Sequence, residues 1–184
     1  MPTYLEYLHA IQRVDAVRYF IMLHHCGFHV DLDYDRLRPL DDLIGGPSCV
    51  LSLEPTVSAQ KVARVKIIGN ALIAANPGHP MLQVLTWFLE PCFRRVRQNH
   101  EEVVLETAGP LMLTNVRHAL LNRDLVTLVE SVHFYPLTMY EADVLRGVRL
   151  MHQLPGVDLD CACKRLENAF AIHHHFGTWW RDGL

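Results

Sequence analysis

Gly27-Phe28-His29-Val30-Asp31-Leu32-Asp33, followed by Leu37-Arg38-Pro39-Leu40, is the stretch on which the reading of this chain turns. A short apolar run opened by glycine predicts a strand over Phe28–Leu32, and it ends in two carboxylates one residue apart. On a strand, side chains at i and i+2 point the same way, roughly 6–7 Å apart. That spacing suits two carboxylates sharing one hydrated divalent ion. Mg²⁺ and Mn²⁺ want hard oxygen ligands, keep waters and take substrate phosphates. An Asp-x-Asp at a strand end is therefore a place to dock a diphosphate. Taken alone the tripeptide also fits a solvated acidic turn, and the surrounding sequence has to decide.

Upstream, apolar residues at Tyr4, Leu5, Leu8, Ile11, Val14, Ala16, Val17, Phe20 and Ile21 predict a helix over 3–25 with one apolar face, ended by Gly27. Asp15 and Arg18 lie three apart on it and so share a side. By themselves they read as a surface ion pair. Downstream, Ser48–Leu53 and Val65–Ile68 read as strands, and Asn76-Pro77-Gly78 is turn chemistry. A helix begins at Pro80, with Pro91 expected to kink or interrupt it. Gly109-Pro110 opens another through about Leu121. Leu125–Val132 is β-rich, Tyr140–Gln153 helical, and Ala169–His174 a last strand. Strands alternating with helices predict an α/β fold. No repeat, low-complexity tract or linker interrupts residues 1–184, which are expected to form a single domain.

The 17 Lys+Arg against 20 Asp+Glu give net charge −3, so no footprint for nucleic acid is visible. Arg94, Arg95 and Arg97 fall late in a predicted helix, where they complement its dipole. Cys26, Cys49, Cys92, Cys161 and Cys163 fit neither a disulfide framework nor a CxxC zinc knuckle. No run reaches the ~20 apolar residues of a membrane helix, and residues 1–30 lack the pattern of a signal peptide.

Val14-Asp15-Ala16-Val17-Arg18, Cys26-Gly27, the Asp31-Leu32-Asp33 strand and Pro39-Leu40-Asp41 form an ordered series. It resembles the sugar-binding region of DxD-containing glycosyltransferases, a group including Golgi α-1,6-mannosyltransferases, inositol-phosphoceramide mannosyltransferases and glucosylating clostridial toxins. Cys26 stands where a first glycine is usual, and His29 where tyrosine is usual. The likeness continues through Asn70–Ala75 and Pro77-Gly78-His79-Pro80, Thr107-Ala108-Gly109-Pro110, Phe134-Tyr135-Pro136, and Ala171–Trp179. Six motifs in order, from about residue 10 to 180, are far more specific than one.

The resemblance implies a GT-A-like (Rossmann-like) mixed sheet flanked by helices. It implies metal-dependent, retaining transfer of a hexose from a nucleotide-diphosphate sugar. Asp31 and Asp33, with His173, would hold Mn²⁺ or Mg²⁺. Asp15 would bond the donor sugar's hydroxyls, Arg18 would sit against sugar or diphosphate, and Asn70 near the transferred sugar, which makes Asp15 and Asn70 the catalytic candidates. Thr178 and Trp179 would close over the donor. GDP-mannose is the favoured donor, a UDP-sugar the other; the acceptor is a glycan or a sphingolipid, and the setting the Golgi or another endomembrane lumen. Such proteins carry a further N-terminal strand, helix and loop, often behind a membrane anchor. The chain is accordingly expected to be N-terminally truncated, as an enzyme fragment or as a sugar- or nucleotide-binding module that no longer catalyses.

Other readings accompany these residues. His173, His174 and His175 could ligate zinc, although on a strand His174 points away from the other two. Trp179 and Trp180 could be core aromatics, and Asn70 a turn or capping residue. The second Asp-x-Asp, Asp158-Leu159-Asp160, follows Pro155-Gly156 without an apolar strand and reads as a solvated loop.

Overall fold

Ile68–Ala75 forms strand β4, buried along all eight residues. Ile-Gly-Asn-Ala-Leu-Ile-Ala-Ala shows no alternation because both faces of the strand are covered. That is why the sequence reading ends a strand at Ile68, where β4 in fact begins, and why Val65 lies exposed. In this computed structural model the described residues are 2–25, 27–41, 46, 49–94, 100–147 and 158–176.

β4 pairs antiparallel on one side with β1 (Gly27–Val30) and on the other with β3 (Cys49–Leu53); β3 pairs parallel with β5 (Thr127–Val129). The order β1-β4-β3-β5 is a mixed sheet. One face packs against α2 (Ala10–His25), α4 (Pro80–Phe93) and α6 (Pro110–Ala119), through Tyr19, Met22, Leu85, Leu89, Met112 and Leu113. The other face, with Val50, Leu72 and Ala74, is covered by Phe134, Tyr135 and Ala171. The class is thus α/β with a mixed sheet flanked by helices, as expected.

Shorter helices surround this frame: α1 (Pro2–Glu6), α3 (Thr56–Lys61), α5 (His100–Thr107), α7 (Met139–Leu145) and α8 (Leu159–Leu166). A second, two-stranded sheet pairs β2 (Tyr34–Arg36) antiparallel with β6 (Ala171–His173), setting Tyr34 opposite His173. Three residues such as Tyr-Asp-Arg carry too little pattern to announce a strand. β2 exists because β6 reaches it.

Several expectations need correcting. The helix expected over 3–25 breaks at Tyr7–His9, which lets the Tyr7 ring pack edge-on against Phe93 at 5.2 Å. The buried side of α2 mixes apolar Ala16, Tyr19 and Met22 with polar Gln12, Asp15 and Arg18. Of the expected apolar face, Leu5 on α1 and Leu8 in the break stand 84% and 79% exposed, and Val14 and Ile21 on α2 are exposed as well. Pro91 does not interrupt α4, which runs on to Phe93. The second Asp-x-Asp is a helix start, its Asp158 Oδ1 accepting from Cys161 N–H at 3.0 Å. The helix expected over 140–153 ends at Leu145, and Gly147 follows with φ +70°. Cys26, Arg95, Arg97 and residues 148–153 lie outside the described residues.

Candidate functional site

The site starts where β1 stops. Asp31 N–H still donates to Ala71 O at 2.9 Å, but the chain then turns, Tyr34 N–H donating to Asp31 O at 3.3 Å. The strand therefore ends at Val30, and Asp31 and Asp33 are not two positions on one pleat. The turn leaves Leu32 fully exposed at its tip and draws the flanking carboxylates inward. Asp33 is fixed from the second sheet: His174 N–H donates to its carbonyl at 2.8 Å, and Phe176 N–H to its Oδ2 at 2.9 Å. The register that places Tyr34 opposite His173 brings His173 Nε2 to 3.2 Å from Asp33 Oδ1. As a result one ligand atom each from Asp31, Asp33 and His173 lies within 4.8 Å of the others, the one such grouping among the described residues.

Behind this trio lies a buried ion network. Arg18, 2% exposed, places Nη2 2.6 Å from Asp15 Oδ1 and Nη1 3.1 Å from Asp31 Oδ1, and donates to Asn70 O at 2.6 Å. The Asn70 amide donates to Asp15 Oδ1 at 3.0 Å. Asp15 and Arg18 are therefore an internal pair, since the helix side that carries them faces β4 and the site. Asn70 reaches Asp15 through an irregularity in the sheet. Leu51 faces Ile73 on β4, but Ser52 faces Gly69, so Asn70, Ala71 and Leu72 pass without partners on β3. Such bulges re-aim side chains, and here the amide turns to α2.

The electrostatics follow from one guanidinium among three carboxyl groups. Burial works against the Arg18 charge, but Asp15 and Asp31 outweigh it and hold the guanidinium charged. Burial lifts the Asp15 carboxyl, Arg18 pulls it back, and Asp31 adds to the lift. Burial also tends to raise Asp33, yet the hydrogen bond and charge of His173 and the Phe176 N–H overcome it and bring Asp33 down to about 2. Asp33 is thus an anion throughout the physiological range.

His173 is held by rings. It stacks on Tyr34 at 4.6 Å and meets Tyr135 edge-on at 5.4 Å and His175 at 4.2 Å. Its Nδ1 is buried without a hydrogen-bond partner, so its bonding capacity points through Nε2 to the carboxylates. Burial, with the neighbouring His173 charge, pushes His175 down to about 3, and its Nε2–H donates to Leu137 O at 3.3 Å. His174 turns away to Asp35 at 2.8 Å. The three histidines consequently do not converge as a zinc trio. Two carboxylates and one imidazole, all half-buried, suit a hard or borderline divalent ion that keeps part of its water shell.

Asp15, Arg18, Asn70, Asp31, Asp33 and His173 are thus brought together; Thr178 and Trp179 lie outside the described residues. His29, to which the sequence assigns no role, joins the site as well, its Nε2 lying 3.0 Å from Asp31 Oδ1. Its position two residues before Asp31 was the available signal, because alternate strand residues share a side.

No protein-family model matches the chain. Among curated proteins it is similar to inositol phosphoceramide mannosyltransferase 1 of Schizosaccharomyces pombe, 34% identical over 115 residues, covering 62% of this chain and 33% of that protein. It is also similar to mannosyl phosphorylinositol ceramide synthase CSH1 of Saccharomyces cerevisiae, 32% identical over 80 residues, covering 44% of this chain and 19% of that protein. These relatives bear out the resemblance carried by the motifs. The matched region amounts to a third or less of each relative's length. Among solved structures, PaToxG glycosyltransferase is 15% identical with a TM-score of 0.38, covering 85% of this chain and 40% of that one. A likeness that loose carries no argument.

Proposed function

We propose that this chain carries the donor site of a metal-dependent, retaining hexosyltransferase with a GT-A-like fold. Mannose from GDP-mannose is the favoured donor group, with a UDP-sugar as the other candidate. The acceptor is a sphingolipid, or otherwise a glycan, in an endomembrane setting. The single observation that carries the reading is the convergence of Asp31, Asp33 and His173 beside the buried Arg18 network. The lipid acceptor is drawn from the names of the inositol phosphoceramide mannosyltransferases it resembles.

Asp31, Asp33 and His173 would hold Mn²⁺ or Mg²⁺, which when bound neutralises negative charge growing on the leaving diphosphate. The remaining work falls to the chain's own residues. Arg18 holds the Asp31 carboxylate from behind, so that this ligand is oriented before the donor arrives. Asp15, itself oriented by Arg18 and Asn70, offers a carboxyl edge to sugar hydroxyls. Asn70, which donates to Asp15, would orient that carboxyl and touch the transferred sugar. Tyr34 and Tyr135 keep the His173 ring in one orientation. Thr178 and Trp179 would close over the donor and exclude water, which suppresses its hydrolysis.

Titration calorimetry with GDP or UDP, in the presence and absence of Mn²⁺, tests the donor site. Asp31→Asn and Asp33→Asn should each weaken metal-dependent nucleotide binding by about 100-fold while leaving the circular dichroism unchanged. Undiminished binding in both variants removes the site. Binding without transfer to inositol phosphoceramide would favour the second reading, a sugar-nucleotide-binding module.

A further inference from the structure

A cavity of about 240 Å³ lies against the helix-covered face of the sheet, where β3 ends and β4 begins. Its floor is aliphatic, made by Leu53, Ile68 and Leu128, and its polar lining is cationic: Lys66, Arg117 and His118. The remaining lining residue, Thr114, has its hydroxyl engaged, accepting from Ile68 N–H at 2.9 Å and donating to Pro110 O at 2.7 Å. No carboxylate lines the cavity among the described residues.

The cavity belongs to the same side of the sheet as the Asn70–Asp15 edge of the donor site, whereas the Tyr34 and Tyr135 rings that hold His173 belong to the other. Ile68 packs into the core under α2, α4 and α6, and Asn70, two residues on, turns to Asp15 on α2. Two strand residues span about 7 Å. A ligand here would thus sit about one strand repeat from the Asn70–Asp15 edge of the donor site.

The chemistry of the lining selects a class of ligand. The exposed Lys66 and His118 stand above three aliphatic side chains, with Arg117 buried behind them, and complement an anion joined to hydrocarbon. A sugar or nucleotide base would set its hydroxyls or amides on the leucine floor and leave them unsatisfied. Inorganic phosphate would meet the cations but leave the floor wet. The size, below the ~300–1,000 Å³ of pockets that hold drug-sized ligands, admits a head group and its first methylenes rather than a whole lipid.

We propose that this cavity receives the phosphate diester of an amphiphilic acceptor, a role that rests on the transferase reading above. Lys66 and His118 hold the phosphate, the aliphatic floor takes the start of the tail, and the acceptor's hydroxyl-bearing head is directed along β4 towards Asn70.

The test is calorimetric titration of the full chain with dioctanoyl phosphatidylinositol below its micelle concentration. Parallel arms use inorganic phosphate alone and octyl glucoside as a tail with an uncharged head. Lys66 and His118 are both exposed, so Lys66→Glu and Lys66→Glu/His118→Glu leave the core intact. The expected result is saturable binding of the phosphoinositide, at least about tenfold tighter than either control, weakened about tenfold or more by Lys66→Glu and further by the double variant. Equal affinity for inorganic phosphate, equal affinity for octyl glucoside, or indifference to both variants overturns the proposal. Mn²⁺-dependent GDP or UDP binding is read on the same wild-type samples. Its absence, with the phosphoinositide result as expected, sinks the transferase reading and leaves the cavity an anion site. Its presence, with phosphoinositide binding indifferent to Lys66→Glu, sinks the cavity and leaves the transferase reading.

Discussion

At the scale of single residues, Asp33 shows how a charge is prepared for its task. Its carboxylate accepts from Phe176 N–H, faces His173, and is held down to about 2. Its unfolded value is about 3.9, so the folded state favours its ionised form. The stabilisation is complete above the unfolded value and is lost as pH falls through about 2. Screened by the water that reaches this half-buried carboxyl, it is worth about 1 kcal/mol at neutral pH. Urea unfolding between pH 2 and 5 should show this acid limb in the wild type and a flatter one in Asp33→Asn. An unchanged slope in the variant would mean that His173 and Phe176 do not act on this carboxyl. Asp15 and Arg18 make a different point: their spacing disclosed that they share a helix side, whereas their burial at 4% and 2% exposure depended on which side faced β4.

At the scale of elements, β4 and α2 cooperate through a defect in pairing. The three residues without partners on β3 turn Asn70 to α2, and Gly69 just before them makes room for Tyr135. A Cβ on Gly69 would lie 2.1 Å from Tyr135 Oη and 2.6 Å from its Cζ. Gly69→Ala should cost about 1–3 kcal/mol, an overpacking penalty, seen as a fall of several degrees in Tm. Because Tyr135 also packs on His173, the same variant should weaken Mn²⁺ binding. Adding Tyr135→Phe should recover only part of the Tm, since Cζ remains too close; no loss in Gly69→Ala would show that this contact relaxes freely. Helix α2 explains the largest misreading of an element. Its apolar residues are spread around much of the circumference: Val14 and Ile21 face outward, while Ala16, Tyr19 and Met22 share the buried side with the ion network. An ion pair wins the inside position here because each charge meets its partner there.

At the scale of the molecule, the metal trio bridges two sheets. Asp31 hangs from the end of β1 in the four-stranded sheet, while Asp33 and His173 are set by β2 and β6. A cation bound there ties the sheets together. It should stabilise the fold by mass action, about 2.7 kcal/mol at 100 times its Kd. Hydrogen exchange should slow at 34–36 and 171–173 when Mn²⁺ is added, and this slowing should vanish in Asp31→Asn. Exchange in those strands that ignores Mn²⁺ would separate the trio from any metal role.

Residue chemistry and short-range spacing were enough to determine that Asp15 and Arg18 share a helix side, that a strand leads into the Asp31–Asp33 pair, and that strands alternate with helices. These follow from the backbone periods of helix and strand, which any local stretch displays. Tertiary structure alone decided that Asp31 and Asp33 meet across a turn, that three residues of β4 pass without partners on β3 so that Asn70 is aimed at α2, and that Tyr34 pairs with His173. The reason is the length of chain between the partners. A register joining residues about 140 apart is set by how the intervening core packs, and no window of sequence contains that sum.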